Sequence, residues 1–438
     1  MRTLFLPMPG FFPKRHRTFI QALAANFNLI LHDAVMWNIS GKNITSTEHI
    51  AREIGNVEKL DEFAAHWNAY REFVASTMED VLGRKASREH LEAHFSQAKP
   101  LLSESLKRAL VLSEIRLTRP VDMVVSGADY IHYNRPFTFM AARLGIPSVH
   151  IEHGLLGLTP YPEDAQNAPH IKFASNYVIL DNALEVDIFS KFRRQDNVQQ
   201  LLPLGTPLDN SVATGNMDVK QAKQLFQVPP WKKCVTVLLS WSEPVTPYAP
   251  VTLQRKEVEF VRLIFRAWQR SAVRDRVHLI LKCHPAVVDF GQYDNYKKFF
   301  RFLAYSHGAT SNLTITEGAL DEAMSASDLL VSWRRSSVLW DAMMKGRQTA
   351  LWIPWTKPQT PDSLAPPYPS IAVVDAGLCQ FVTDADELAE MFTNMFDEKA
   401  PVQFAERIEQ FQNKWHLVPG TAEEKSNRIV EWIKNRLQ

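Results

Sequence analysis

The chain has 438 residues, too many for one ordinary α/β domain and enough for two. Hydrophobic residues make up 45% and charged residues 22%, so two packed cores can be built, and a formal net charge of +1 leaves no electrostatic footprint for nucleic acid. Three cysteines, Cys234, Cys283 and Cys379, each lie in or beside an apolar run; they supply neither a disulfide framework nor a metal-ligand spacing, and read as buried thiols in a reducing compartment.

The first apolar run, Thr3 to Leu6, predicts a buried strand. The stretch MRTLFLPMPGFFPKRHR around it lacks the apolar core of a signal peptide, and no segment approaches the ~20 apolar residues of a membrane span. A cytoplasmic protein is expected, one that meets any lipid-linked substrate at the inner face of the membrane. Further strands are predicted at Leu29–Leu31, Asp122–Ser126, Ser148–Ile151 and Tyr177–Leu180. Between the second and third, residues 50–117 are rich in Glu, Ala, Leu and Lys and read as several helices. Asn134 to Leu144 reads as a helix stopped by Gly145, and Ile146-Pro147 feeds the next strand, which makes a βαβ unit and a parallel sheet.

Residues 203–230 look like a linker, opening on PLGTPLDN and closing on Val228-Pro229-Pro230. A second alternating series follows. Its strands are Val235–Leu239, Val277–Lys282, Leu313–Ile315, Leu329–Val331 and Thr349–Trp352, with helices at 253–270, 295–305, 320–325 and 337–345. The tail from Val402 is helical. The expectation is therefore an α/β protein with two Rossmann-like domains facing across a cleft, residues 1–215 and 216–400, and C-terminal helices over 401–438 that pack back across both.

Open parallel sheets carry ligands at the C-terminal ends of their strands, so the residues after each strand are the candidates. After Ser148–Ile151 come Glu152-His153-Gly154, with Gly157 three residues on. Glycines here let the backbone approach a ligand. Glu152 or His153 stands where a hydroxyl would be deprotonated. After Val277–Lys282 come Cys283, His284 and Pro285; an imidazole there can donate to a phosphate oxygen, with Lys282 as a second cation. After Leu329–Val331 come Ser332-Trp333-Arg334-Arg335-Ser336-Ser337, two cations and two hydroxyls at a helix start, a pattern suited to phosphate. Glu317-Gly318 follows Leu313–Ile315, where backbone contacts to a nucleoside base are expected. Glu243 follows Val235–Leu239 and could hold the sugar or act as a nucleophile. Lys14, Arg15 and Arg17, around His16, follow the first strand and could grip an anionic acceptor or a lipid headgroup. The chain has no Walker loop, no HExxH and no GxGxxG after its first strand, which argues against P-loop, zinc-hydrolase and dinucleotide chemistry.

Glu152-His153-Gly154, His284-Pro285 and Ser336-Ser337, in this order over about residues 120–350, resemble the motif set of bacterial CMP-sugar transferases. The set is similar to that of sialyltransferases and closer to that of capsule and lipopolysaccharide β-Kdo transferases; teichoic-acid glycerophosphotransferases share its His-Pro and serine features. The resemblance implies a GT-B glycosyltransferase. The acidic residue of the first motif would be base or acceptor contact, and His284, Ser336 and Ser337 would bind the donor phosphate. The sequence departs from the sialyltransferase pattern at His153, often acidic there, which leaves the base open. The implied partners are a nucleotide-sugar donor such as CMP-Kdo and a glycan or glycolipid acceptor, with Gly154, Lys14, Arg15 and Arg17 on the acceptor side. Alternatives are a UDP-, GDP- or dTDP-sugar or CDP-glycerol donor, a sugar-nucleotide 2-epimerase, and a non-catalytic carbohydrate-binding subunit. No metal and no further cofactor is expected.

Overall fold

The computed structural model describes every residue except 9, 12–14, 35–36, 38–40, 83–86, 130–132, 153–172, 191–198, 209–216, 240–254, 285–286, 288–290, 318–319, 334–336, 353–371, 416–417 and 419. The described residues form two compact units, each built on one parallel sheet.

The sheet of the first unit holds β1 (Thr3–Pro7), β2 (Asn28–His32), β3 (Ile44–Ser46), β4 (Met123–Ser126), β5 (Ser148–Ile151), β6 (Tyr177–Leu180) and β7 (Gln200–Pro203). They lie in the order β3-β2-β1-β4-β5-β6-β7, all neighbours parallel. Strand side chains alternate between faces, and β1 shows why both must be covered. Leu4 and Leu6 join Met123, Val125, Val149 and Ile151 in a core closed by the helices Arg17–Asn26 and Ala422–Arg436. Phe5 points the other way, with Val124 and Ile30, into a core closed by the helices Arg88–Thr118 and Arg135–Arg143. Helix Ala422–Arg436, at the far end of the chain, starts on a Thr421/Glu424 capping box. Trp432 and Arg436 lie against Tyr177 of β6. Helix Arg88–Thr118 continues through Pro100, which forgoes one intrahelical hydrogen bond.

The second unit contains β8 (Lys233–Leu238), β9 (Val277–Lys282), β10 (Leu313–Thr316), β11 (Leu329–Ser332), β12 (Gln348–Trp352) and β13 (Cys379–Val382). The order β10-β9-β8-β11-β12-β13 is again wholly parallel. Val235, Val237, Leu279, Leu281 and Val331 pack with Phe260, Phe265, Phe300 and Phe392; Cys234 and Ile280, on the opposite face, meet Ala222, Phe226 and Ala323. Asp328 ties the start of β8 to β11 by accepting from Cys234 N and Lys233 Nζ, both at 2.9 Å. Helix Ala400–Trp415 belongs to this unit, where Phe411 meets the ring of Trp340. The three cysteines are buried, and burial pushes the thiols of Cys234 and Cys283 up to about 12 and that of Cys379 to about 11, so all stay protonated. Among the described residues, no helix is long and apolar enough to cross a membrane.

Both sheets reverse strand order beside their first strand, between β1 and β4 and between β8 and β11. Such a reversal leaves a crevice at the carboxyl ends of the strands. In the first unit two glycines meet there. A Cβ on Gly10, whose φ is +93°, would stand 2.6 Å from Ala128 Cβ, and one on Gly127 would stand 2.7 Å from Gly10 O. Gly10→Ala thus combines left-handed strain with overpacking, and a loss of about 2–4 kcal/mol is expected in urea unfolding. A loss under half a kilocalorie would mean that the loops separate freely.

Candidate active site

In the first unit the chemistry gathers at the ends of β4, β5 and β6. Glu152 follows the last residue of β5, and its N–H donates to Ile179 O at 2.9 Å, so the backbone stays in sheet register one residue further. His150 lies two residues earlier on the same face of the strand. Its Nε2 is 3.1 Å from Glu152 Oε2. On the other side of the ring, Nδ1 is 3.3 Å from the backbone N of Asp129 and 3.7 Å from Asp129 Oδ1. Asp129 comes from the loop after β4; its Oδ2 accepts from the backbone N–H groups of Ala174 (3.0 Å) and Ser175 (2.7 Å), ahead of β6. Phe173 stacks on the imidazole at 4.5 Å. Asp129, His150 and Glu152 are all buried, so the ends of two adjacent strands, β4 and β5, hold one line of ionisable groups away from water.

The protonation of His150 is contested at one atom. Burial alone would lower its pKa; the charge of Asp129 and the hydrogen bond and charge of Glu152 outweigh that and raise it. The Asp129 N–H, by contrast, is aimed at a bare Nδ1. Both influences leave Nε2 protonated, and that is the proton Glu152 accepts. The geometry therefore holds Glu152 as an oriented carboxylate in either state of the ring.

A second pair of carboxylates lies alongside. Asp181, after β6, accepts from Thr206 N (2.9 Å), Thr206 Oγ1 (3.0 Å) and Lys425 Nζ (2.9 Å), the last from the C-terminal helix. Glu185 accepts from Asp181 N at 2.7 Å. Burial, then the charge of Asp181, with a smaller push from Glu152, raise the Glu185 carboxyl well above its ordinary 4.5, against the pull of that backbone hydrogen bond and of Lys425. A carboxyl that holds its proton more tightly when folded loses stability as pH climbs from its unfolded value toward its folded one. Glu185→Gln keeps the acceptor and removes this penalty. Its melting temperature is expected to exceed that of the wild type at about pH 8, the gain shrinking to nothing as pH falls to the ordinary 4.5. A gain independent of pH would show that Glu185 is charged in the folded protein.

In the second unit the register of the sheet gathers the candidates. Leu238 of β8 pairs with Lys282 of β9 and with Ser332 of β11, so β9 and β11 end at one level, about 10 Å apart across β8 at the usual strand spacing. His284 leaves β9 at this edge and is exposed; its carbonyl accepts from Val287 N at 3.0 Å, which turns the chain. Lys282 is placed differently from a free phosphate ligand. It is buried, and its Nζ donates to the carbonyls of Cys283 (2.6 Å) and Glu317 (2.9 Å), clamping the end of β9 to the residue after β10. Burial lowers its pKa, while neighbouring Cys283 and Glu317 resist the shift. Among the described residues the ammonium has these two acceptors for its three N–H groups. The side chain of Glu317 is exposed beside it, and Ser337 begins the helix Ser337–Met344 after β11.

Arg15 and Arg17 lie after β1, Arg17 exposed at the start of its helix, with His16 buried edge-on against Phe11 between them. Lys14, His153, Gly154, Glu243, Gly318, Arg334, Arg335 and Ser336 fall outside the described residues. Neither Asp129 nor His150 was singled out from the sequence: His150 reaches Glu152 from two residues back on the same strand, and Asp129 joins them only because β4 and β5 are neighbours. The chain's Asp-x-Asp pair, Asp384 and Asp386, is engaged elsewhere, Asp384 capping the helix Ala385–Asn394 and Asp386 paired with Arg270 at 2.9 Å. Among the described residues, no group of three His, Cys, Asp or Glu side chains is arranged to hold a metal ion.

No protein-family model matches the sequence, and no curated protein matches it either. Solved structures do resemble it over the whole chain. A putative UDP-N-acetylglucosamine 2-epimerase from Listeria monocytogenes is 11% identical, with a TM-score of 0.54, covering 100% of this chain and 96% of that one. The α,α-trehalose 6-phosphate synthase from Burkholderia multivorans is 13% identical, with a TM-score of 0.54 and coverages of 99% and 96%. Anabaena HepE, in complex with UDP and glucose, is 12% identical, with a TM-score of 0.50 and 99% of both chains covered. The chain has the fold of these proteins, the α/β GT-B fold of two parallel Rossmann-type sheets with surrounding helices.

Proposed function

We propose that this protein is a glycosyltransferase that moves a sugar from a nucleotide donor onto a glycan or glycolipid acceptor. The observation that carries the reading is the carboxyl edge of the second sheet. There an exposed His284 leaves β9 level with the end of β11, which runs toward the helix starting at Ser337. A phosphate at this edge would take hydrogen bonds from His284 and from N–H groups at the helix start, and Arg334, Arg335 and Ser336 lie in the intervening segment. Nucleotide-sugar enzymes of the same fold support the reading, HepE by its bound UDP and glucose. The His-Pro and Ser-Ser motifs favour a CMP-linked acidic sugar such as Kdo, and the similar structures favour a UDP-sugar.

On the acceptor side, Glu152 is the proposed base for an inverting transfer, with Lys14, Arg15, Arg17 and Gly154 as acceptor contacts and His153 as the alternative base. A retaining transfer would need a nucleophile on the donor side, for which Glu243 is the candidate. The second reading, a sugar-nucleotide 2-epimerase, is favoured by the likeness to the Listeria protein.

Incubation with CMP-, UDP-, GDP- and dTDP-sugars, followed by NMR, separates the two. Transfer or slow hydrolysis that frees the nucleotide supports the transferase, whereas an epimerised sugar still joined to its nucleotide, formed without acceptor, replaces it with the epimerase. Since charge on the leaving phosphate is assigned to His284 and the helix start, and Asp384 and Asp386 are committed to a cap and an ion pair, turnover is expected to persist in EDTA. Complete loss in EDTA, restored by magnesium or manganese, would contradict this assignment.

A further inference from the structure

Away from the carboxylates of the first unit, a cavity of roughly 640 Å³ opens between the helices Asp61–Leu82, Arg88–Thr118 and Arg135–Arg143, a size typical of small-molecule sites. Its walls are mainly carbon, from Phe63, Trp67, Leu106 and Phe139 among others, and Phe139 is 53% exposed. Among the described residues that line it, the charged side chains are Arg135 and Arg143, and none is a carboxylate.

Arg135, Phe139 and Arg143 fall on one helical stripe, each four residues from the next, so Arg135 and Arg143 leave the helix at its two ends, about 12 Å apart along its axis at the α-helical rise. The ends are not equivalent. Helix Arg135–Arg143 connects β4 to β5, so its N-terminus, and Arg135 with it, lies at the carboxyl edge of the sheet, the edge that carries Asp129 and Glu152. Arg108, beside the groove, marks the same edge: it donates to Tyr133 O at 3.2 Å and stands 3.1 Å from Asp33, which follows β2. Arg135 Nε is buried and donates to no described group, while its guanidinium lies over the Phe139 ring at 5.6 Å. A buried N–H without an acceptor is costly, and an anion arriving at this end would satisfy it.

We propose that this groove binds the hydrocarbon chain of a membrane-derived lipid phosphate, with the phosphate on Arg135 at the sheet edge and the chain running along Phe139 toward Arg143. An apolar wall with a cation where the wall meets the sheet edge fits that combination. A free phosphate has no use for the wall, and a neutral glycolipid has none for Arg135. The site stands independently of the transfer reading; taken with it, the lipid would be the anchor of the acceptor, its head directed toward the edge that holds Glu152.

Isothermal titration of the full chain with dodecyl phosphate and dodecyl maltoside, each below its micellar concentration, and with inorganic phosphate, is the test. Dodecyl phosphate is expected to bind at least about tenfold tighter than dodecyl maltoside, and inorganic phosphate to give no measurable binding. Phe139→Glu, at an exposed position, and Ala109→Trp, which fills the groove from the facing helix, are each expected to weaken dodecyl phosphate by about tenfold or more. Arg135→Ala is expected to erase the preference for phosphate over maltoside. Undiminished binding in both groove variants, or inorganic phosphate binding as tightly as its dodecyl ester, would overturn the proposal. Nucleotide binding, measured on the same variants, is expected to stay at the wild-type level, so failure of the lipid site and failure of the donor site are read separately.

Discussion

Glu152→Gln is expected to slow transfer by about 10²–10⁴-fold, the usual contribution of a positioned general base, while nucleotide affinity stays unchanged. The amide can still accept the Nε2 proton of His150, so the buried line from Asp129 survives and the variant should fold like the wild type. Glu152→Ala serves as the control for that distinction. It leaves the buried imidazole without its acceptor, and an added loss of about 1–3 kcal/mol of stability is expected. Turnover at the wild-type rate in the amide variant, by steady-state kinetics with saturating acceptor, would remove Glu152 as base and pass the role to His153. If the product retains the donor's anomeric configuration, the informative variant is instead Glu243→Gln, which should form no covalent sugar adduct by intact-protein mass spectrometry.

The second large effect is expected on the donor side. His284 is exposed at the end of β9, so His284→Ala should leave the fold intact. A charge-assisted hydrogen bond to phosphate contributes about 1.5–3 kcal/mol, so nucleotide affinity should drop roughly 10- to 100-fold. Turnover should drop further, by about 10²–10³-fold, because charge on the phosphate grows as the bond to the sugar breaks. Calorimetry with nucleotide, alongside kinetics, resolves the two effects. Equal losses in binding and turnover would mean that His284 holds the nucleotide without assisting its departure, and no loss in either would take it out of the site.

The strands visible in the sequence and those missed differ in a physical way. Buried strands such as Leu4–Leu6, Val235–Leu238 and Val277–Lys282 are apolar on both faces because helices cover both sides of a parallel sheet, so they read as continuous runs. The strands missed, Ile44–Ser46, Gln200–Pro203 and Cys379–Val382, are sheet edges. Half-exposed residues such as Thr45, Leu201 and Phe381 give them no apolar run, and Gln200–Pro203 borders the stretch read as a linker. The candidate site divides in the same way. Glu152 and His284 could be found because each follows a strand that is itself obvious. Asp129 and His150 could not, since their meaning lies in a contact between the loop after β4 and strand β5, 21 residues apart. Lys282 was found as a cation, but only the structure places its ammonium on two carbonyls. The apolar groove had no sequence signal because its walls come from three helices whose mutual packing no local pattern encodes.

The central claim, that the edge around His284 binds a nucleotide phosphate, is tested most directly by melting the protein with CMP, UDP, GDP and dTDP in turn. A ligand that binds only the folded state stabilises it by about 2.7 kcal/mol at a hundred times its dissociation constant, which shifts melting by several degrees in a domain of this size. One nucleotide, CMP or UDP, is expected to raise the melting temperature in a concentration-dependent way, and His284→Ala to abolish most of the rise. No shift with any nucleotide up to millimolar concentration, or a shift that His284→Ala leaves untouched, would contradict the account.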